Sequence, residues 1–174
     1  MDESGFSLVP LVRKTWSKRG ETPILRHSYR RSKISVIAGI CTNPHIFAKQ
    51  IRNRAVRTHD VVAFLKHLLR HGPKKICLVW DNISTHKASA VRQLVEKNRK
   101  RIEMHFLPAY APELNAEENV WGHMKWHTLV GASPKNTQEL SLKIRHAIAC
   151  IRKRPELIRS FFRGTPLDFC PFVN

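Results

Sequence analysis

Runs of apolar residues along the chain predict a series of strands. The segment 33–40 is apolar and rich in β-branched residues, which predicts a buried strand, and 46–51 predicts a further short strand. The run 76–80 is almost continuously apolar, as in a strand that is covered on both faces. Residues 102–107 alternate enough to form another strand, and the short apolar segment 6–12 near the start also resembles one.

Apolar residues at helical spacing predict helices between and after these strands. One helix is predicted to begin at Thr58, with this residue as its cap, and to end before Gly72. Further helices are predicted over 88–100, 115–129, 137–152 and 155–162. Because the strands come first and then alternate with helices, the pattern predicts an α/β fold in three layers, with a mixed central sheet flanked by helices.

The composition of the chain shows a strong positive charge. The chain has 174 residues, of which 42% are hydrophobic, enough for one folded domain. Its 31 Lys and Arg against 13 Asp and Glu give a net charge of +18, more than solubility requires, which indicates a polyanionic partner such as nucleic acid. The alternative is a basic protein with a solvated surface. No apolar run approaches a membrane span, so we expect no membrane contact and a cytoplasmic location.

Carboxylates at the end of a predicted strand and at the start of a predicted helix suggest a catalytic site. Asp81 directly follows the apolar strand 76–80, and Glu118 lies in the first turn of the helix predicted at 115, with Glu113 and Glu117 as nearby competitors. One helix and one return strand separate Asp81 from Glu118, so both could lie at the same sheet edge. The structural alternatives are a turn or cap for Asp81 and a dipole-complementing role for Glu118. Asp2 offers a third acid, with a frayed terminus as its alternative.

Basic and aromatic residues are interleaved in the first third of the chain. This mixture suits a surface that follows a nucleic-acid strand, whereas the alternative is a charged hairpin in water. His86, five residues after Asp81, could lie near a phosphate or serve as a hydrogen-bonding histidine. The candidate nucleic-acid-binding residues are Arg13, Lys14, Trp16, Lys18, Arg19, Arg30, Arg31, His86 and Lys87.

Four motifs in a fixed order carry a resemblance to a known family. They are Asp2-Glu3-Ser4-Gly5-Phe6, the segment 15–23 with Trp-Ser-Lys-Arg-Gly, Trp80-Asp81-Asn82 with His86, and the segment 107–121 with Pro-Ala-Tyr-Ala-Pro and Leu-Asn. From Asp2 to about Arg154, the chain resembles the catalytic domain of bacterial insertion-sequence transposases of the mariner-related superfamily. These are DDE enzymes with a ribonuclease-H-like fold.

The resemblance implies a site, a reaction and partners. Asp2, Asp81 and Glu118 would form the catalytic and metal-binding triad, with Glu118 preferred to Glu117 because the family's last acid stands three residues before Trp121. Two Mg²⁺ ions, for which Mn²⁺ can substitute, would support DNA strand cleavage and strand transfer at transposon ends. The implied partner is DNA, bound by a homodimer associated with the bacterial nucleoid. Residues 1–154 would be the catalytic domain, and 155–174 a C-terminal helix and tail packed on it.

A complete relative would have several apolar residues before its first acid and a helix-turn-helix module upstream. We therefore expect a truncated first strand, a poorly anchored Asp2 and a separately encoded DNA-reading half. Three interpretations remain open: a transposase catalytic domain, a catalytically inactive nucleic-acid-binding remnant, and a host nuclease of the same fold. The transposase-like segments around Trp16 and Tyr110 argue against the nuclease.

Overall fold

An antiparallel sheet of three strands forms around the apolar segment that follows Lys33. The computed structural model describes residues 1–25 and 32–167. Strand β2 (Lys33–Cys41) lies in the middle, with β1 (Asp2–Ser7) on one side and β3 (His45–Arg52) on the other. The register places Asp2 opposite Ala38 and Ile34 opposite Arg52. The predicted strand at 33–40 is thereby confirmed, whereas the first strand begins earlier than the apolar segment 6–12 that suggested it.

A second, parallel sheet carries the strand end at which Asp81 lies. Its strands are β4 (Ile76–Trp80) and β5 (Ile102–Phe106), with Trp80 opposite Phe106. Helix α2 (Ser89–Lys97) connects them, as a crossover between parallel strands requires. The Met1 ammonium group at the start of β1 donates a hydrogen bond to the Val79 oxygen at 2.9 Å, which joins the two sheets at this point.

Four further helices complete the layers. Helix α1 (Thr58–His71) precedes β4, and α3 (Ala116–His123) follows a 3₁₀ turn at Pro112–Leu114 and continues into a π-helical turn at Met124–Thr128. Helices α4 (Thr137–Arg152) and α5 (Pro155–Arg163) follow. The helix predicted over 115–129 is therefore an α-helix followed by a π-helical turn.

Two apolar clusters lie on opposite faces of the central strands. Val36 and Ala38 of β2 pack with α3, α4 and α5, whereas Ile37 of the same strand packs with α1, α2 and β4. This alternation follows from the two-residue period of a strand. Helices on both faces of the strands confirm the three-layer α/β fold, with antiparallel and parallel pairs in two adjoining sheets. The division into 1–154 and 155–174 stays a prediction, and residues 168–174 lie outside the described part.

Within the ranges 1–25 and 32–167, no helix combines the length and apolarity that crossing a membrane would require.

Candidate active site

Asp2 is firmly held in the structure. Its side chain is buried, and the Trp121 indole Nε1–H donates a hydrogen bond to its Oδ2 at 3.0 Å. Burial raises the pKa of Asp2 to about 6, and the charge of Glu118 adds to this rise against opposing contributions from hydrogen bonds and the Met1 ammonium. The expectation that Asp2 is poorly anchored was wrong, because pairing with β2 and the indole of α3 fix it from two sides.

The start of α3 places two adjacent acids in different environments. The Asn115 side chain caps the helix by accepting a hydrogen bond from the Glu117 N–H at 3.2 Å. Because successive helical residues are about 100° apart, the next two side chains diverge. Glu117 is buried, with 1% of its surface exposed, whereas Glu118 is exposed.

The Glu117 side chain supplies a hydrogen-bond acceptor to β2 beyond the point where β1 ends. The ladder between β1 and β2 stops at Ala38, and the next unpaired N–H, that of Ile40, donates to Glu117 Oε1 at 2.5 Å. The other oxygen, Oε2, is buried without a hydrogen-bond partner. Burial raises the pKa of Glu117 to about 7, and the charges of Asp2 and Glu118 add to the rise, while the Met1 ammonium and the Ile40 N–H lower it. Glu117 is thus a structural acid beside the exposed Glu118.

Asp81 is held at the end of β4 by a buried histidine. The His86 Nδ1 lies 2.7 Å from Asp81 Oδ1, and its Nε2 lies 2.9 Å from Glu3 Oε1. The His86 ring is stacked on Trp80, with 4.0 Å between centroids and 5° between planes. Burial lowers the pKa of His86, but its contacts with Asp81 and Glu3 outweigh this and raise it to about 9. At neutral pH, the protonated ring donates a hydrogen bond from Nε2 to Glu3 and from Nδ1 to the Asp81 backbone oxygen at 3.2 Å, and it forms an ion pair with the Asp81 carboxylate.

These contacts correct one expectation for His86. A direct contact with DNA requires exposed atoms, but the His86 side chain is fully buried and both ring nitrogens are engaged. His86 therefore orients Asp81 and does not reach nucleic acid in this structure. Sequence reasoning missed Glu3 because it lies 83 residues from His86, and no local spacing signals that contact. The alternation of a strand was the available signal, since it points Asp2 and Glu3 to opposite faces of β1.

The carboxylates fit divalent cations by the chemistry of their oxygens. Among the described residues, no three His, Cys, Asp or Glu side chains stand together as a ready site for one metal ion. Mg²⁺ is commonly bound through one or two carboxylates, with water and substrate phosphates completing its shell. Burial is the main cause of the raised pKa of Asp2 and the charge of Glu118 adds to it, so a cation near both carboxylates would relieve their repulsion. Asp2, Glu118 and the half-exposed Asp81 each carry such oxygens, and their role as ligands stays a prediction.

The basic segment after β1 is exposed. Residues 12–20 are all exposed and form no strand or helix, and the Trp16 side chain is 99% exposed. This segment includes Arg13, Lys14, Lys18 and Arg19, whose side chains are therefore accessible to a ligand. Lys87 is also exposed, with its Nζ 5.8 Å from the centroid of the Phe106 ring. Arg30 and Arg31 lie outside the described residues.

Comparisons with solved structures support the fold. A Mos1 transposase paired-end complex with the left transposon end is 20% identical, with a TM-score of 0.71, over 94% of this chain and 49% of that one. A mariner Mos1 paired-end complex with Mg is 19% identical, with a TM-score of 0.68, over 93% of this chain and 49% of that one. The catalytic domain of Mos1 mariner transposase is 16% identical, with a TM-score of 0.53, over 78% and 76% of the two chains.

These likenesses establish a ribonuclease-H-like fold, and the chain spans about half the length of the transposase chains in the two complexes. No curated protein matches the sequence. The sequence profile described as DDE superfamily endonuclease matches residues 1–141, which include all three predicted triad acids and most of the fold. The chain therefore belongs to the DDE superfamily endonuclease family.

Proposed function

We propose that this chain is the catalytic domain of a transposase, which cleaves DNA strands at transposon ends and transfers them to a target. One observation carries the proposal: Asp2 is bound by Trp121 of α3, the helix that also carries Glu118. This contact docks the helix with the third acid against the strand with the first. Family membership supports the same reaction class.

Asp2, Asp81 and Glu118 would hold the divalent cations, Mg²⁺ or Mn²⁺. When bound, such ions activate an attacking hydroxyl and stabilise the leaving oxygen in phosphoryl transfer. The exposure of Glu118 keeps its oxygens accessible from solvent, and Asp81 is partly exposed at the strand end. Asp2 is buried, and the Trp121 N–H restricts the direction of its Oδ2.

Glu3 and His86 serve to position Asp81. The imidazolium binds the Asp81 backbone oxygen through Nδ1 and forms an ion pair with one oxygen of its carboxylate, while Glu3 accepts a hydrogen bond from the opposite ring nitrogen. Stacking on Trp80 prevents the ring from tilting. The second Asp81 oxygen is then presented in a defined direction, which reduces the reorganisation that ligand binding requires.

The exposed basic segment would contact the DNA backbone. Arg13, Lys14, Lys18 and Arg19 supply cations next to the exposed ring of Trp16 on one stretch of chain. Binding of this kind depends strongly on salt, because neutralised phosphates release counterions. The same role is proposed for Lys87 and, outside the described residues, for Arg30 and Arg31.

Cleavage of supercoiled plasmid or of a transposon-end duplex with Mg²⁺ or Mn²⁺ tests the proposal. Asp2→Asn, Asp81→Asn and Glu118→Gln should each abolish strand cleavage, because each neutral amide is a weaker cation ligand than a carboxylate. The same variants should retain DNA binding. Glu113→Gln is the matched control, since Glu113 is exposed and lies near Glu118 in sequence. Cleavage at the parental rate by any triad variant would refute the assignment.

A second candidate is a nucleic-acid-binding remnant without catalysis. It is favoured by the lack of a preformed three-residue metal cluster among the described residues. A titration with Mn²⁺ followed by thermal unfolding separates the two candidates. The catalytic proposal predicts that Mn²⁺ raises the melting temperature of the parent but not that of Asp81→Ala. An equal shift in both proteins, or none in either, would favour the remnant.

The proposed partners and location extend from the same function. DNA is the proposed substrate, bound by a homodimer, and a helix-turn-helix module is proposed to read the transposon ends. A nucleoid-associated position in a bacterial cytoplasm would follow from that substrate. Chromatography of the chain with and without DNA, followed by light scattering, would measure the predicted dimer.

A further inference from the structure

Tyr110 combines an unfavourable backbone with a fully exposed ring. Its φ is +57°, in the left-handed region that L side chains other than Asn and Asp rarely adopt. Its side chain is as exposed as in an extended peptide, so packing of the ring does not explain the conformation. Pro108 and Pro112 flank the position, and the 3₁₀ turn that begins at Pro112 fixes the chain after it. Backbone strain of this kind is concentrated at functional positions.

Tyr110 lies in the connection between two elements of the candidate active site. Phe106 pairs with Trp80, the residue before Asp81, and the Leu107 N–H donates to the Trp80 oxygen at 2.8 Å. Tyr110 follows Phe106 by four residues, so its Cα lies within about 14 Å of that of Phe106. It also belongs to the connection that leads from β5 to α3, the helix that carries Glu118. Tyr110 thus lies in the loop that joins the strand paired with the Asp81 strand to the helix that carries Glu118.

A second aromatic ring and a cation lie at the same sheet edge. Phe106 is 37% exposed, and the Lys87 ammonium lies 5.8 Å from its ring centroid. Lys87 is itself exposed, so the ammonium can contact a phosphate without leaving this ring. Aromatic faces next to basic groups are the usual means of binding unpaired bases, whereas pairs inside a duplex are stacked on both faces and offer none.

We propose that Tyr110 stacks on an unpaired base at a DNA end, while Lys87 contacts the adjoining phosphate. The net charge of +18 selects a polyanion over an apolar protein partner for an aromatic ring in this position. The proposal rests on the DNA substrate of the proposed function and adds the feature that is recognised, namely an end with an unstacked base. Tyr110 is a binding residue here and takes no part in the cleavage chemistry.

A comparison of Tyr, Phe, Ala and Gly at position 110 distinguishes the contribution of the ring from that of the backbone conformation. Tyr110→Phe keeps the ring, Tyr110→Ala removes it and keeps the strained backbone, and Tyr110→Gly removes both the ring and the strain. Fluorescence anisotropy measures binding to three equally long duplexes: one blunt, one with a two-nucleotide overhang, and one with the same overhang lacking its bases. The assay contains chelator, so no cleavage occurs. Thermal unfolding of each variant is recorded in parallel.

The parent and Tyr110→Phe should bind the overhang duplex roughly 10-fold more tightly than the blunt or abasic one. Tyr110→Ala and Tyr110→Gly should both lose this preference and bind the blunt duplex as the parent does, although the glycine variant melts at a higher temperature than the alanine variant. Retention of the preference by either of these variants, its loss in Tyr110→Phe, or its absence in the parent would overturn the proposal. Cleavage assays of the triad variants are separate, so each idea can fail without the other.

Discussion

Glu117→Gln should remove a large part of the pH dependence of stability. The pKa of Glu117 is raised to about 7 in the folded protein from an ordinary value of 4.5, because the carboxyl group is buried. A raised carboxyl pKa means that folding favours the protonated form. The stability associated with that proton is therefore fully present below pH 4.5 and is lost as the pH rises through 7.

The size of the effect follows from the two pKa values. Each pKa unit is worth about 1.4 kcal/mol, so a difference of about 2.5 units destabilises the fully ionised protein by about 3 kcal/mol. Between pH 5 and pH 8 the change amounts to roughly 2 to 3 kcal/mol. For a domain of this size, this corresponds to a shift in melting temperature of roughly 5 to 10 °C.

Gln is a suitable replacement because its oxygen can still accept the hydrogen bond from the Ile40 N–H. Its NH₂ group would occupy the place of the unpartnered Oε2, so the variant is expected to be somewhat less stable than the parent at pH 5. At pH 8 the order should reverse, since the variant carries no buried charge. The difference between the two proteins, measured by urea unfolding in chelator at several pH values, reports the titration of Glu117 together with the effect of its charge on the nearby Asp2.

Glu113→Gln is the control for the change in net charge, because Glu113 is exposed. Its stability should follow the parental pH curve. If Glu117→Gln also followed the parental curve from pH 5 to 8, the buried carboxyl group would not be titrating as described and the reasoning would be refuted.

Three further predictions concern other contacts. Trp121→Phe removes the hydrogen-bond donor to Asp2 and should lower the free energy of unfolding by roughly 1 to 3 kcal/mol. A double-mutant cycle against Asp2→Ala measures the coupling energy, and strictly additive losses would contradict the hydrogen bond. Asp60→Asn should lower the free energy of unfolding by about 1 to 2 kcal/mol above pH 4, because hydrogen bonds from Arg54 hold the pKa of Asp60 at about 2. In urea titrations, this loss should shrink as the pH falls through 2. Lys18→Gln should lower the slope of log K against log salt by about 1 for duplex binding, and an unchanged slope would remove Lys18 from the DNA surface.

Local patterns were sufficient to predict most of the elements. The apolar segment from Lys33 predicted β2, the run at 76–80 predicted β4, and the apolar spacing after Thr58 predicted α1. Each of these elements buries apolar side chains, so its period appears in the sequence. Strand β1 was placed too late because its first residues, Asp-Glu-Ser-Gly, have little preference for strands and are extended only through pairing with β2.

The contacts of the candidate site could not be predicted in the same way. The bond between Trp121 and Asp2 joins residues 119 positions apart, and that between His86 and Glu3 joins residues 83 apart. Such contacts depend on which strands are neighbours and in what register. The sequence motifs identified Asp2, Asp81 and Glu118 as candidates, but gave no sign that Asp2 would be held by an indole or that His86 would be buried. The positive φ of Tyr110 was equally invisible, since two prolines predict a turn without its handedness.

The two acidic pairs show how neighbouring carboxylates acquire different roles. In β1, alternation directs Asp2 towards Trp121 of α3 and Glu3 towards His86. At the start of α3, the helical turn directs Glu117 towards the Ile40 N–H and leaves Glu118 exposed. In each pair one acid is committed to a contact that positions the site: Glu3 supports Asp81 through the histidine, and Glu117 closes the edge of β2 beside Asp2. The other acid of each pair, Asp2 or Glu118, is the one proposed to bind a cation, and Asp2 would do so while its Oδ2 accepts the Trp121 hydrogen bond. Glu117→Gln should consequently change the pH dependence of stability, whereas Glu118→Gln should abolish cleavage, because neither position can perform the task of the other.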